Sequence, residues 1–493
     1  MSNINSVKKP SLLVSMIPFA CLIVFMLLGV LVFDSVPQIP LIICCAITAI
    51  IGKLLGHSWN DMEESMIKTN SMAMQANFII MIVGCLVGSW IAGGVVPGMI
   101  FYGLKLFTPT MFLFLLPIIC AIVSVSTGSA WTTAGTMGTA AMGIGAGLGI
   151  PSAIVAGAVV TGASFGDKLS PLSDSTNLAA GVAGVNVFDH IKHMLYTTIP
   201  SFLIAVTLFA FIGLSFKNSA VADTSQITAI LETLQANFNI SPLIFIAPLS
   251  VVLMIIFKVP AIPGMLGGTI IGFIFSLMQG NSISEILHAL FYGFEIASGN
   301  AMVDSLLNRG GMLGMMETIS LVICALCFGG LVKQIGCLDT IIAKILTFCH
   351  SRGSIILSNI ISCIAMNFMA ADQYMAIVIP GQMYKPVYEK LNLHPKNLSR
   401  VLEDAGTLTS GLVPWSTCGA IYFTTLGVSA FAYAPFHFLG FINPIISAIY
   451  GYTGFGMKAL DESKPIAKEL SVEDYLSDMN ETAKDAAVDS ISS

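Results

Sequence analysis

Long apolar runs broken at regular places by short polar clusters dominate this chain. Runs at 12–33, 37–56, 76–92, 110–125, 134–148, 151–165 and 193–215 make up the first half. Runs at 242–257, 259–279, 281–298, 318–335, 353–371, 374–388, 398–413, 418–434 and 436–455 make up the second. Several reach the ~18 apolar residues that a helix needs to cross the hydrocarbon of a bilayer. Residues 57–75 are polar with a helical period, which predicts an interfacial segment. The run at 76–92 is interrupted by Gly93-Gly94 and Pro97, and an amphipathic piece continues to Phe107. The pattern predicts an all-α polytopic membrane protein with roughly 10–13 crossing or re-entrant segments.

The interruptions carry the candidate chemistry. Gly162 to Thr176 reads Gly-Ala-Ser-Phe-Gly-Asp-Lys-Leu-Ser-Pro-Leu-Ser-Asp-Ser-Thr, placing Asp167, Lys168 and Asp174 within eight residues of otherwise apolar chain. A charge at the bilayer centre costs at least ~2.5–3.5 kcal/mol, so charges there mark function. Broken helix at that depth is tolerated only against protein or a watery cavity. Carboxylates beside the hydroxyls of Ser170, Ser173 and Thr176 and freed carbonyls suit a hard cation, with Asp167 and Asp174 as its charged ligands. Three further breaks would supply the opposite wall or hold a solute. They are Ser126-Thr127 with the Gly-Ser that follows, Asp372-Gln373-Tyr374, and Arg400 to Asp404 (including Glu403) followed by Ser416-Thr417. Arg400 and Asp404 stand at i and i+4 and can pair on one helix face.

The two halves repeat. At an offset of 242, Gly88 and Gly94 fall on Gly330 and Gly336, Ile118-Ile119 on Ile360-Ile361, and the Ser126–Thr132 break on Phe368–Tyr374. At 244, Pro151 meets Pro395 and Gly162 meets Gly406. Interrupted segments at matching places in two halves point to discontinuous helices meeting at the midplane between inverted repeats. The expected division is a cytoplasmic N-terminal segment 1–11, repeats 12–215 and 241–455, a polar connection 216–240 with a short surface helix, and a soluble tail 456–493.

Composition agrees: 55% of the 493 residues are hydrophobic and 10% charged, against about 25% charged in soluble domains. The net charge of −6 sits mostly in the tail, where nine acidic residues face four lysines. It argues for no nucleic-acid partner. The eleven cysteines are scattered through apolar runs, and Cys324-x-x-Cys327 reads as packing rather than redox or metal chemistry. Lys8 and Lys9 before an uncleaved first helix favour a cytoplasmic N-terminus in the cell membrane. Gly162-x-Ser-x-Gly166 lacks the strand-to-helix turn of a nucleophile elbow, and Gly143–Gly149 lacks a βαβ unit. Gly84-x-x-x-Gly88 reads as helix packing. With no phosphate-loop lysine or zinc-protease motif, the chain reads as neither enzyme nor ATP-driven pump, and no cofactor is expected. Paired breaks disfavour a continuous channel pore. His190 and His193, near the start of helix 193–215, are expected at the interface, where they could respond to pH.

The chain resembles the NhaC-type sodium/proton antiporter family, whose near relatives include malate/lactate antiporters. The resemblance rests on Gly166 to Ala179, Asp189 to Pro200, Ala371 to Tyr374 and Leu398 to Thr407, and covers most of residues 12–455. It implies exchange of protons for sodium, Asp167 and Asp174 alternating between the two ions. The alternative is exchange of a small organic acid or amino acid, with Arg400 as anion partner. The family pattern around 410–416 is Ser-Pro-Leu-Ile-Pro-Trp-Asn, whereas this chain has Ser410-Gly-Leu-Val-Pro-Trp-Ser416, which keeps an oxygen but loses an amide. Lipid, small ions, a small organic acid or amino acid on the alternative reading, and a second copy in a homodimer are the partners expected.

Overall fold

The computed structural model describes residues 7–33, 35–72, 74–171, 173–216, 224–257, 259–346, 349 and 351–469. Residues 1–6 of the N-terminal segment, 217–223 of the connection, Leu172 of the polar motif and 470–493 of the acidic tail lie outside them. Helix is the regular structure among the described residues, apart from two isolated bridges, Ser351 to Glu469 and Leu393 to Ala459.

The first series of helices is α1 (Leu12–Met26, continued by a π-turn Leu27–Val32), α2 (Gln38–Leu55), α3 (Trp59–Met72), α4 (Met74–Ala92), α5 (Val95–Leu106), α6 (Pro109–Thr127), α7 (130–147, with a π-turn Ala134–Gly138), α8 (Ser152–Leu169), α9 (Asp174–Ala183) and α10 (Val187–Ser215). After α11 (Thr224–Asn237) a second series follows: α12 (Ile246–Ile256), α13 (Ala261–Met278), α14 (Ile283–Tyr292), α15 (Ala301–Leu307), α16 (Met316–Gln334), α17 (Cys337–Leu346), α18 (Arg352–Met369), α19 (Gln373–Lys390), α20 (395–410, with a π-turn Leu402–Thr407), α21 (Thr417–Leu426), α22 (Ala430–Tyr433) and α23 (Phe438–Thr453). The order of long helix, glycine break, amphipathic helix, long helix, polar break and discontinuous helix occurs twice. Gly94 and Gly336, 242 residues apart, both adopt left-handed φ (71° and 77°), a conformation that lacks a Cβ penalty only in glycine.

Packing follows the same duplication but crosses between the series. Helices α2 and α3 pack on α16, while α13 and α14 pack on α4. Two hydrophobic cores result. One gathers α4–α8 with α12, α13 and α21, and the other gathers α16–α20 with α1, α2 and α9. Helix α8 therefore lies in the first core and its continuation α9 in the second, and α20 and α21 reverse that arrangement. The breaks at 170–173 and 411–416 are the points where the chain passes between cores.

Among the described residues five helices are individually long and apolar enough to cross a membrane, and up to eight spans result if each sharply bent pair counts as one. This is fewer than the sequence reading, because many segments are halves of interrupted helices too short to pass alone. Other boundaries also move. Helix α8 runs through Asp167 and Lys168 rather than ending at 165. The short α9, capped by Ser173, and the start of α10 at Val187, capped by Asn186, were hidden by their polar residues. The expected run 281–298 starts as a helix at a capping box of Ser282 with Glu285 and stops at Tyr292, because Gly293 leaves helical φ (103°). In the connection, α11 is no plain surface helix: Ile230 and Leu234 are buried in the first core.

Small residues set the closest contacts. A Cβ on Gly84 would meet the carbonyl oxygen of Gly311, and one on Gly88 that of Ala289, so this pair serves packing. Gly162 and Gly166 of α8 lie equally close to the Pro117 and Ala121 carbonyls of α6. Gly162→Val should therefore force these helices apart and cost about 1–3 kcal/mol, the usual toll of overpacking. Thermal unfolding in detergent checks this, and an unchanged midpoint would refute the packing argument.

Candidate functional site

Four helix N-termini are built at the breaks, each capped by a side-chain oxygen as the sequence dictates locally. Ser129 accepts from the Thr132 N–H (3.2 Å) at α7, and Ser173 from the Thr176 N–H (3.4 Å) at α9. Asp372 accepts from the N–H groups of Tyr374 (2.9 Å) and Met375 (3.2 Å) at α19, and Ser416 from Gly419 (3.0 Å) at α21. The breaks touch across the seam. The Thr417 hydroxyl donates to the free oxygen of Asp372 (3.1 Å), and its N–H donates to the Ala371 carbonyl (2.9 Å). Trp131 and Tyr374, each two residues past its cap, meet edge to face at 6.4 Å between centroids.

Asp167 lies in the last turn of α8, 9% exposed, with its carboxyl group against the Ser173 hydroxyl and the Ala130 N–H at the start of α7. Asp174 is solvent-exposed at the first position of α9 and lies within electrostatic reach of Asp167. Ser173 and Ser175 hydroxyls are 3.1 Å apart. The carbonyls expected to be free at this break are engaged: Thr176 donates to the Lys168 carbonyl (3.1 Å) and Asn177 to that of Pro171 (2.8 Å). Buried Ser170 donates its N–H to the Asp167 carbonyl (3.1 Å). The oxygens left unengaged at this break thus belong to side chains more than to backbone.

Behind Asp167 lies a buried charge network. Lys168, fully buried, pairs with Asp404. The same Asp404 oxygen accepts from Thr197 (3.0 Å) and Asn443 (2.7 Å). The expected Arg400–Asp404 pair is loose: Arg400 Nε stands 3.8 Å from the second Asp404 oxygen, which has no hydrogen bond. Arg400 instead donates to the Gly456 carbonyl (3.2 Å) and lies 3.2 Å from His193 Nε2. His193 and His190 are not interfacial: both are buried, with Asn397 and Ser399 of α20 covering them at 3.2 and 2.8 Å. Glu403, in the π-turn of α20, is fully buried beside Lys168, Ser175 and Thr407, and neither of its oxygens has a hydrogen bond of ordinary geometry.

The remaining candidates separate. Thr127 is buried and 3.3 Å from Thr133, whereas the Ser126 hydroxyl is engaged with the Ile122 carbonyl of its own helix (2.9 Å). Gln373 accepts from Cys418 (3.2 Å), and the Ser416 hydroxyl donates to the Ser410 carbonyl (2.6 Å). Asp372 has both oxygens engaged and acts as a helix cap. Among the described residues the cysteines form no disulfide. Sequence reasoning singled out Lys168 without its partner Asp404, and missed Thr197 and Asn443. The available signal was that a lysine inside an apolar helix needs an acidic partner.

The site is therefore acidic on its open side, and its cations are consumed behind it. Comparison with known proteins bears on what such a site handles. The profile of the Na+/H+ antiporter family matches residues 3–176 and 162–455. A Na+/H+ antiporter NhaC of Alkalihalophilus pseudofirmus is 41% identical over 452 residues, covering 91% of this chain and 97% of that protein. A malate-2H+/Na+-lactate antiporter of Bacillus subtilis is 37% identical, covering 91% and 96%. An arginine/ornithine antiporter, ArcD, of Halobacterium salinarum is 33% identical, covering 92% and 94%.

Proposed function

The chain belongs to the Na+/H+ antiporter family, and from that premise we propose that it exchanges sodium for protons across the cytoplasmic membrane by alternating access. It is a multi-pass transporter, and the reading assigns it no catalytic activity. The carrying observation is the Asp167 carboxyl group at the seam of the two cores, beside the Ser173 hydroxyl and just within reach of water. Protonated or bound to sodium, that carboxylate is neutral as a unit, and in either form it can be buried when one repeat moves against the other. Asp174, exposed beside it, draws cations toward the site. Lys8 and Lys9 support a cytoplasmic N-terminus.

The organic-solute alternative receives less support. A carboxylate substrate needs a free cation, but Lys168 is consumed by Asp404, and Arg400 is fully buried among His193, Gly456 and Asp404. Proteoliposomes carrying an internal pH dye test the reading. Sodium alone should move protons with saturable kinetics. Proton movement that required malate, lactate or an amino acid would transfer the assignment to a solute antiporter. Flux without saturation or counter-ion would indicate a channel.

A further inference from the structure

We propose that the transported cation is bound between the two repeats, with Glu403 of α20 as the second charged ligand opposite Asp167. This deepens the sodium/proton reading and rests on it.

A buried polar group without a hydrogen bond costs free energy, and a buried carboxylate costs far more. Glu403 is fully buried and both its oxygens lack a hydrogen bond, while neighbouring Asp404 collects Lys168, Thr197 and Asn443. The hydrogen bonds of Asp404 all fall on its Oδ1, whereas neither oxygen of Glu403 is engaged. Both carboxylates stand in the π-turn Leu402–Thr407, and such bulges recur at functional sites.

The direction of Glu403 identifies what it awaits. It lies on the same side as Asp167, since the neighbours of the two, Lys168 and Asp404, pair with each other, and it stands beside the hydroxyls of Ser175 and Thr407. Thr407 Oγ1 is itself buried without a partner. Asp167 brings the Ser173 hydroxyl, itself 3.1 Å from that of Ser175. Two carboxylates and a set of hydroxyls form an all-oxygen site for a hard cation. Among the described residues no three of His, Cys, Asp or Glu gather as a transition-metal cage would require. A monovalent cation needs fewer charges and must leave again.

Asp167 comes from the first repeat and Glu403 from the second, so the cation bridges parts that belong to different cores. Its departure leaves two carboxylates facing each other without a counter-ion. Binding is thereby coupled to the relative position of the repeats, which is the requirement for exchange.

The test is sodium-dependent thermal stabilisation of the full-length protein in detergent, titrated with sodium chloride against choline chloride. Wild type should be stabilised in a saturable manner. Glu403→Ala should weaken the sodium midpoint roughly 10- to 100-fold, the weight of one charge-assisted contact, and Glu232→Gln on α11 serves as the distant charge control. Thr407→Val, which removes only a hydroxyl, should weaken it about threefold to tenfold and gives a readout should Glu403→Ala fold poorly. Wild-type affinity in Glu403→Ala, or in Thr407→Val if that alone folds, overturns the proposal. A wild type that ignores sodium sinks both the proposal and the sodium/proton reading, whereas sodium binding retained by the variants sinks the proposal alone.

Discussion

Asp167→Asn should give a folded, membrane-inserted protein that moves no measurable protons in response to a sodium gradient. Asparagine has nearly the shape of aspartate and still offers the Ser173 hydroxyl and the Ala130 N–H an acceptor. Insertion and packing should therefore survive, since removing a charge from an apolar region lowers its transfer cost by ~2.5–3.5 kcal/mol on the insertion scale. What disappears is the group that can be neutral in two ways. An amide neither takes up a proton nor offsets the charge of a bound cation, so both half-cycles stop. Expected rates in proteoliposomes fall by at least ~100-fold, a loss of about 3 kcal/mol or more of differential stabilisation. Asp174→Asn makes the informative contrast. That carboxylate is exposed at the mouth, so its loss should weaken sodium uptake in a salt-dependent manner rather than abolish it. Equal and complete loss in both variants would show that the exposed carboxylate is also an obligatory ligand. Normal exchange in Asp167→Asn would remove the site from Asp167 altogether.

The breaks were legible because their chemistry is local. Ser129, Ser173, Asp372 and Ser416 cap helices through the backbone two or three residues away, and such oxygens interrupt an apolar run visibly. The all-α membrane architecture was legible for the same reason, since hydropathy is a property of each segment. What each polar residue does once the chain is folded was not. Arg400 and Asp404 satisfied an i, i+4 rule, yet Asp404 is held by a lysine 236 residues away. His190 and His193 looked interfacial because their own helix is polar there, but α20 lies over them through Asn397 and Ser399. Asp372 resembled a functional carboxylate, and only its three donors reveal a cap. Glu403 carried the opposite signal, a missing partner, which no spacing can display. Helices α9, α15 and α17 escaped the sequence reading because seven to ten residues bounded by caps leave no apolar run to notice.

Lys168→Met and Asp404→Asn should each be strongly destabilising, and the double variant should recover most of the loss. Both side chains are fully buried, so removing one partner leaves the other as an uncompensated charge, at a cost of about 3–5 kcal/mol. Lys168→Met should fall at the lower end. Arg400 Nε, which lacks a hydrogen bond, lies 3.8 Å from the second oxygen of Asp404 and can close on it. Asp404→Asn should fall at the upper end, because Lys168 is then left without its close partner and Thr197 and Asn443 lose a charged acceptor. In the double variant both charges go. The asparagine oxygen can still accept from Thr197 and from Asn443, so the polar contacts of α10 and α23 to this position persist. Replacing a buried ion pair with neutral groups of similar volume is often close to neutral. Thermal unfolding and folded yield in detergent give the coupling, which should be at least ~2 kcal/mol in favour of the double variant. Simple addition of the two single losses would mean that the pair carries no interaction. Exchange in liposomes then separates support from transport. If the pair is a brace that leaves Asp167 and Glu403 facing the seam, the refolded double variant should still move protons when sodium is added. A stable double variant without exchange would instead make Lys168 part of the coupling itself, its charge needed when the cation leaves the two carboxylates.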